Sequence, residues 1–168
     1  SGLLQMAVDP AEAARQAIIA ESGVLPEAML RAVGAAEASA LAGCHVPYPA
    51  LHFPQAGVLE PRRYCARAAD GSAVITGAAV TELLSDGGRW RLIGHAGEIV
   101  TADVVVLANA GEARAFAPEL SLLARRGQIS AAPPTAHSRH LRAVLNYGGA
   151  ITPLIEGHHY VGATFAPA

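Results

Sequence analysis

The sequence predicts a mixed α/β fold, α+β in character: short helices, antiparallel hairpins, and one strand of the kind found inside a parallel sheet. Three observations predict it. Asp9-Pro10-Ala11-Glu12 is a strong helix start, with Asp9 as cap, Pro10 at the first helical position and Glu12 completing a capping box. Residues 79–101 break into short apolar runs separated by glycine turns, the pattern of a β-meander. Val104-Val105-Val106-Leu107 sets four large aliphatics in a row, as a strand buried on both faces requires.

In chain order, Ser1 to Val8 is expected as a short strand. The helix after Asp9 should run to about Glu21 and stop near Gly23, with Ala14, Ala17 and Ile18 on its apolar face. A second short helix is expected after Pro26, using Met29, Leu30 and Val33, and a third from Ala35 to Ala42, ended by Gly43. The Pro-rich connection Val46–Pro54 must be extended or turning. Gln55 to Pro61 turns into a helix that carries Arg62, Arg63 and Arg67 and stops at Asp70-Gly71. The meander strands are expected at Ala73–Thr76, Ala79–Leu84, Trp90–Ile93 and Glu98–Thr101. Ala108-Asn109-Ala110-Gly111 then follows the aliphatic strand at its carboxyl end. Ligands of open α/β sheets sit at that end, and small side chains let a backbone approach them closely. Small residues also end ordinary strands, so this segment alone leaves both readings open. Beyond Pro118, strands are expected at Arg125–Ser130, in a hairpin Leu141–Tyr147 and Ala150–Ile155 across Gly148-Gly149, and at His158–Phe165 after a Glu156-Gly157 turn.

Composition narrows the function. The 168 residues are 52% hydrophobic, 5% aromatic and only 15% charged, with a mean hydropathy of +0.31. Such a chain buries a sizeable core of small and aliphatic side chains and is not disordered. The formal charge of −2 argues against a dedicated nucleic-acid-binding module, which is normally basic. No apolar run approaches the roughly 20 residues that span a bilayer. Cys44 and Cys65 form no C-x-x-C pair and are expected as buried free thiols in a reducing cytoplasm. With no initiator Met and no polar tail, both ends read as cuts through a longer protein.

Several chemistries find no support. His137 and His140 lie three apart, but no cysteine or carboxylate cluster accompanies them, and the adjacent His158 and His159 point to opposite faces of a strand. No metal is expected. There is no G-x-S-x-G elbow for a serine nucleophile, and neither G-x-G-x-x-G nor G-x-x-x-x-G-K-[ST] for phosphates. Arg62, Arg63 and Arg67 could face a polyanion, although a solvated helix face is the commoner explanation. Arg126, at the start of an apolar strand, needs an anionic or carbonyl partner.

Several stretches, in order, resemble one family. Leu51 to Pro61 resembles the F-P-Q-G-G-W-L-x-P stretch of the FAD-dependent half of the bifunctional tRNA 5-methylaminomethyl-2-thiouridine biosynthesis proteins. Val104 to Gly111 resembles its V-V-V-L-A-N-G, Arg126 to Ser130 its R-G-Q-V-S, and Val144 to Pro153 its V-L-C-Y-D-G-Y-L-T-P. Gly2 to Gln5 is similar to G-V-L-Q, and His159 to Phe165 to H-C-I-G-A-S-Y. The wider group is the D-amino-acid-oxidase-like flavoenzymes, which includes glycine and sarcosine oxidases.

The resemblance implies part of an FAD/NAD(P)-binding, Rossmann-like fold with an antiparallel-sheet substrate domain. Residues 1–57 and 119–168 would form the substrate domain and 58–118 the middle of the FAD domain. It implies FAD as cofactor, tRNA and a methyltransferase half of the same polypeptide as partners, and oxidative removal of the carboxymethyl group from 5-carboxymethylaminomethyl-uridine at the wobble position. Val80, Ala108, Asn109, Ala110 and Gly111 would lie along the cofactor, and Arg126, Gln128 and Tyr147 on the substrate side. A small-molecule amine or amino-acid oxidase, or a non-enzymatic binding domain, are the other readings. The family's upstream dinucleotide loop and C-terminal closing segment have no counterpart in these residues, so the chain alone is expected to bind FAD weakly or not at all. Where relatives read G-Y-L-T-P, Ala150 stands in place of the aromatic.

Overall fold

The structure, a computed structural model, describes residues 2–167. The chain divides into two compact units: unit 1 runs up to Glu60 and resumes over Arg126–Pro167, and unit 2 is Pro61–Arg125.

Unit 1 is built on a seven-stranded sheet of β1 (Leu3–Met6), β2 (Arg31–Val33), β3 (Ala50–Phe53), β7 (Arg125–Ala132), β8 (Val144–Asn146), β9 (Ala150–Ile151) and β10 (His159–Pro167). Their order across the sheet is β2-β3-β1-β8-β9-β10-β7. The strand expected over Ser1–Val8 is β1, with Ser1 outside the described residues. β1 pairs antiparallel with β3 and parallel with β8, so Leu4 lies opposite both His52 and Leu145. Alternation along β1 sends Leu4 and Met6 into a core shared with Val33, Val46, Leu141 and Leu145. Helix α2 (Ala35–Ala42) packs there through Ala38 and Ala42, whose small side chains let it lie close to the sheet. Glu156 and Gly157 both have positive φ and form a two-residue turn closed by paired Ile155–His158 backbone bonds of 2.9 and 3.1 Å.

Helix α1 (Pro10–Glu21) starts as its capping box dictates: Asp9 Oδ1 accepts from the Glu12 N–H at 2.8 Å. Its buried face differs from expectation. Ala14, Ala17 and Ile18 are exposed, Ile18 by 69%, and the buried residue is Gln16. Hydrogen bonding decides this: Gln16 Nε2 donates to the Gln5 carbonyl on β1 at 3.0 Å and to Glu12 Oε1 at 2.9 Å. The Gln16 bond, then the Arg15 guanidinium, hold the Glu12 carboxyl below its ordinary value of 4.5. A lowered folded-state pKa adds stability that is present above 4.5 and fades as pH falls through the folded value. The difference in urea midpoint between the wild type and Glu12→Gln should therefore be larger at neutral pH than in acid.

The helix expected after Pro26 is a single turn, in which the Met29 and Leu30 N–H groups both donate to the Pro26 carbonyl. The chain then enters β2, with Ala32 opposite Leu51 of β3. Apolar Leu30 and Val33 fit a helix face or a sheet edge equally, and pairing with β3 takes up those backbone groups of Arg31–Val33 that face it. β3 itself lies in the Pro-rich connection, which is extended as required.

Unit 2 contains helix α3 (Pro61–Ala68) and the antiparallel sheet β4 (Val80–Asp86), β5 (Arg89–Gly94) and β6 (Gly97–Ala102). Gly87 and Gly88, at φ 58° and 83°, make the turn between β4 and β5. Ion pairs Arg91–Glu98 and Arg89–Asp103, both 2.8 Å, brace the later strands. Two expected strands are absent among the described residues. Ala73–Thr76 is irregular, with Val74 and Ile75 exposed. Val104–Leu107 joins no described sheet, and Val104 and Val106 are 76% and 81% exposed rather than buried on both faces. A strand exists through its hydrogen-bonded neighbours, and no described segment pairs with this one.

The thiols also depart from expectation. Cys44 is half-buried, and burial pushes its thiol up, whereas Cys65 on α3 is exposed. The thiolate is the reactive form, so Cys65 of this chain should take up an aromatic disulfide reagent well before Cys44. Mass spectrometry of the partly labelled protein reads the order.

Candidate functional site

Each unit carries one concavity of interest. In unit 2 it has a volume of about 350 Å³. Its floor is the meander: Leu83 of β4 and Leu92 of β5 are cross-strand partners on one face, and Val80 begins β4 beside them. Val105, Leu107 and Phe116 form apolar walls, and Ala108 and Asn109 complete the rim. The structure thus brings Val80 together with Ala108 and Asn109, which lie far along the sequence from it. Ala110 and Gly111 lie outside the lining; they begin a 3-10 turn over Ala110–Ala115. Ala110 takes the left-handed region at φ 52°, which costs an alanine about 1 kcal/mol and turns the chain off the extended segment.

This donor set fits a flat ring better than a charged group. The lining is aliphatic and aromatic apart from the Asn109 amide, which has both a donor and an acceptor. Ala108 offers no more than a methyl group against a close approach. The residues therefore suit one ring portion of FAD, of the adenosine kind. These residues carry no glycine-rich loop of the kind that cradles a pyrophosphate.

The concavity of unit 1, about 310 Å³, lies on the β7-β10-β9 end of the sheet. Gln128 and Ser130 of β7, Tyr147 at the β8–β9 turn and Thr164 of β10 supply its polar groups. Gly149, Ala150 and Gly162 supply a low floor. A Cβ at Gly162 would come within 3.0 Å of the Gln128 carbonyl, so the strands meet too closely for any larger residue. The Gln128 N–H donates to Thr164 Oγ1 at 3.2 Å, which fixes the strand register beside the recess. Gln128 and Tyr147 are thus brought together, and Arg126 is not in the lining. Strand alternation nevertheless places Arg126 on the face of Gln128 and Ser130, about 7 Å along β7 from Gln128. No ion pair with a described residue occupies its guanidinium.

One of the histidines has a structural role. His159 is buried, with Nδ1 donating to the Thr152 carbonyl at 2.7 Å and Nε2 accepting from Ser138 Oγ at 3.0 Å. Among the described residues no group of three or more His, Cys, Asp or Glu side chains is placed to hold a metal. No described helix is long and apolar enough to cross a membrane. The floor residues Leu83 and Leu92 and the wall residue Phe116 were not singled out from sequence. The Leu83–Leu92 pairing across the Gly87-Gly88 turn was the available signal.

A ring-sized apolar concavity rimmed by the small residues that follow an aliphatic segment suits the flat ring of a nucleotide coenzyme. Residues 1–168 match the family model described as FAD dependent oxidoreductase (DAO), and the chain belongs to that family. It is similar to the tRNA 5-methylaminomethyl-2-thiouridine biosynthesis bifunctional protein MnmC of Methylobacillus flagellatus, 40% identical over 99% of this chain and 26% of that protein. The protein of the same name from Chromohalobacter salexigens is 38% identical over 99% of this chain and 24% of its own length. The chain spans about a quarter of the length of these curated relatives. Among solved structures it resembles glycine oxidase from Geobacillus kaustophilus, with a TM-score of 0.77 and 19% identity over all of this chain and 48% of that one. Iminodiacetate oxidase from Chelativorans sp. BNC1 gives 0.73 and 24% identity over 98% of this chain and 48% of that one. These likenesses bear out the D-amino-acid-oxidase-like fold and the family resemblance of the motifs.

Proposed function

We propose that this chain is part of an FAD-dependent oxidoreductase that oxidises the carboxymethyl C–N bond of 5-carboxymethylaminomethyl-uridine at the tRNA wobble position. The observation that carries the reading is the 40% identity, over 99% of the chain, to a relative named for biosynthesis of a tRNA 5-methylaminomethyl-2-thiouridine. Unit 2 is the FAD side, where Val80, Ala108 and Asn109 hold one ring portion and Ala110-Gly111 turn the chain away just after them. Unit 1 is the substrate side. When bound, FAD accepts the hydride equivalent from the amine; orientation and charge come from the protein. On unit 1, Gln128 presents a donor and an acceptor to a pyrimidine edge, and Tyr147 an aromatic face. Arg126 receives the substrate carboxylate. The name of these relatives includes the word bifunctional, which supports a methyltransferase half on the same polypeptide as partner.

The test uses the full-length protein and tRNA carrying the carboxymethylaminomethyl group, with nucleosides read by mass spectrometry. Loss of the carboxymethyl mass is expected. Turnover of glycine or sarcosine with the tRNA untouched would show a small-molecule amine oxidase instead, and no flavin in the full-length protein would show a binding domain. In the same assay Arg126→Ala should lower kcat/KM about 10- to 100-fold, the range for one lost charged hydrogen bond, and leave the flavin content intact.

A further inference from the structure

Helix α3 has no part in either concavity, yet its two sides differ sharply. At about 100° per residue, Pro61, Tyr64, Cys65 and Ala68 fall on one side. Arg62, Arg63 and Arg67 fall on the other, and the helix has no acidic residue. Tyr64 and the three arginines are all exposed in unit 2. Arg63 and Arg67 are one turn apart, about 6 Å along the axis. Asp70, just past the helix, pairs with Arg67 at 2.9 Å, with both side chains largely exposed. A quarter of the chain's 12 basic residues therefore stand on one side of eight residues, in a chain whose net charge is −2.

We infer that the arginine side of α3 is a contact surface for tRNA phosphates, the apolar side being the one that packs on protein. This inference rests on the tRNA reading above. It commits to tRNA because the partner named for the relatives is a polyanion, and guanidinium groups pair with phosphate oxygens through two parallel hydrogen bonds. The surface supplies affinity and orientation without reading sequence, as phosphate contacts do. Asp70 competes with phosphate for Arg67 and so limits the affinity.

The experiment measures binding of the full-length, FAD-loaded protein to unfractionated tRNA across a series of salt concentrations. Arg62→Ala/Arg67→Ala should weaken binding about tenfold at low salt and reduce the slope of log affinity against log salt by about 1.5, the change expected when two phosphates are no longer neutralised. Asp70→Asn should strengthen binding about twofold. The flavin spectrum should not change in either variant. Wild-type affinity and salt slope in the double variant would overturn the inference while leaving the proposed function standing. A fall in affinity with an unchanged slope would also overturn it, because the loss would not be electrostatic. A wild-type protein that binds no tRNA would overturn the inference and the proposed function together.

Discussion

Replacing Ala108 with tryptophan in the full-length protein should leave it nearly colourless. Ala108 lines the concavity of about 350 Å³ in unit 2, between the Leu107 wall and the Asn109 amide. An indole there enters space that a flat ring would occupy. Overpacking of a formed site costs about 1–3 kcal/mol, so FAD affinity should fall about 10- to 100-fold. The ratio of flavin to protein absorbance after gel filtration reads this. Tyr147→Ala, in the recess of unit 1, should keep the flavin and serves as the control. If Ala108→Trp retains full flavin, the ring does not lie against this segment.

The largest structural effect is expected at Gly43. It ends α2 with φ at 76°, in the left-handed region, where a side chain is already strained. A Cβ there would collide with the His140 carbonyl and stand 2.8 Å from Arg142 Nε. The first obstacle is backbone, and it is held: the Arg142 N–H donates to the Ala42 carbonyl at 2.7 Å, and Arg142 Nη2 to the Ala40 carbonyl at 2.8 Å. Relief requires moving the segment that leads into β8, and with it buried Leu141, Ala143 and Val144. Gly43→Ala should therefore cost about 3–5 kcal/mol, a large part of an ordinary domain's stability, and lower the thermal midpoint by about 10 °C. Gly23→Ala is the comparison. Its φ is 63°, but nothing lies within 4 Å of the added Cβ, so only the backbone term of about 1 kcal/mol applies. Equal losses at the two glycines would show that the collision is not what matters.

The elements that were legible in the sequence are those with local instructions. Asp9 through Glu12 sets the start of α1, Gly43 stops α2, and the Gly87-Gly88 and Glu156-Gly157 turns fold their hairpins wherever the rest of the chain lies. What was not legible depends on partners distant in sequence. The buried face of α1 follows from the Gln16 bond to the Gln5 carbonyl, which no apolar count contains. Residues 31–33 became a strand because β3 lay beside them. Val104–Leu107 has the composition of an interior strand but no described neighbour. Cys65 sits on the apolar side of a helix that nothing in unit 2 covers. The site divides in the same way. Small residues after an aliphatic run drew attention to Ala108 and Asn109, and the family motifs added Val80. The leucine floor and Phe116 emerged only when β4 and β5 were paired. On the other unit Gln128 and Tyr147 line one recess, and Arg126 joins them only by the alternation of β7.

The proposed function makes these residues part of a flavoenzyme whose substrate is a modified tRNA. Anaerobic mixing of the full-length holoenzyme with tRNA bearing 5-carboxymethylaminomethyl-uridine, followed in the flavin absorption band, tests it most directly. Bleaching of the band is expected with that tRNA, none with glycine or sarcosine, and slower bleaching in Arg126→Ala. A band that stays unchanged with the tRNA and bleaches with a small amine would contradict it.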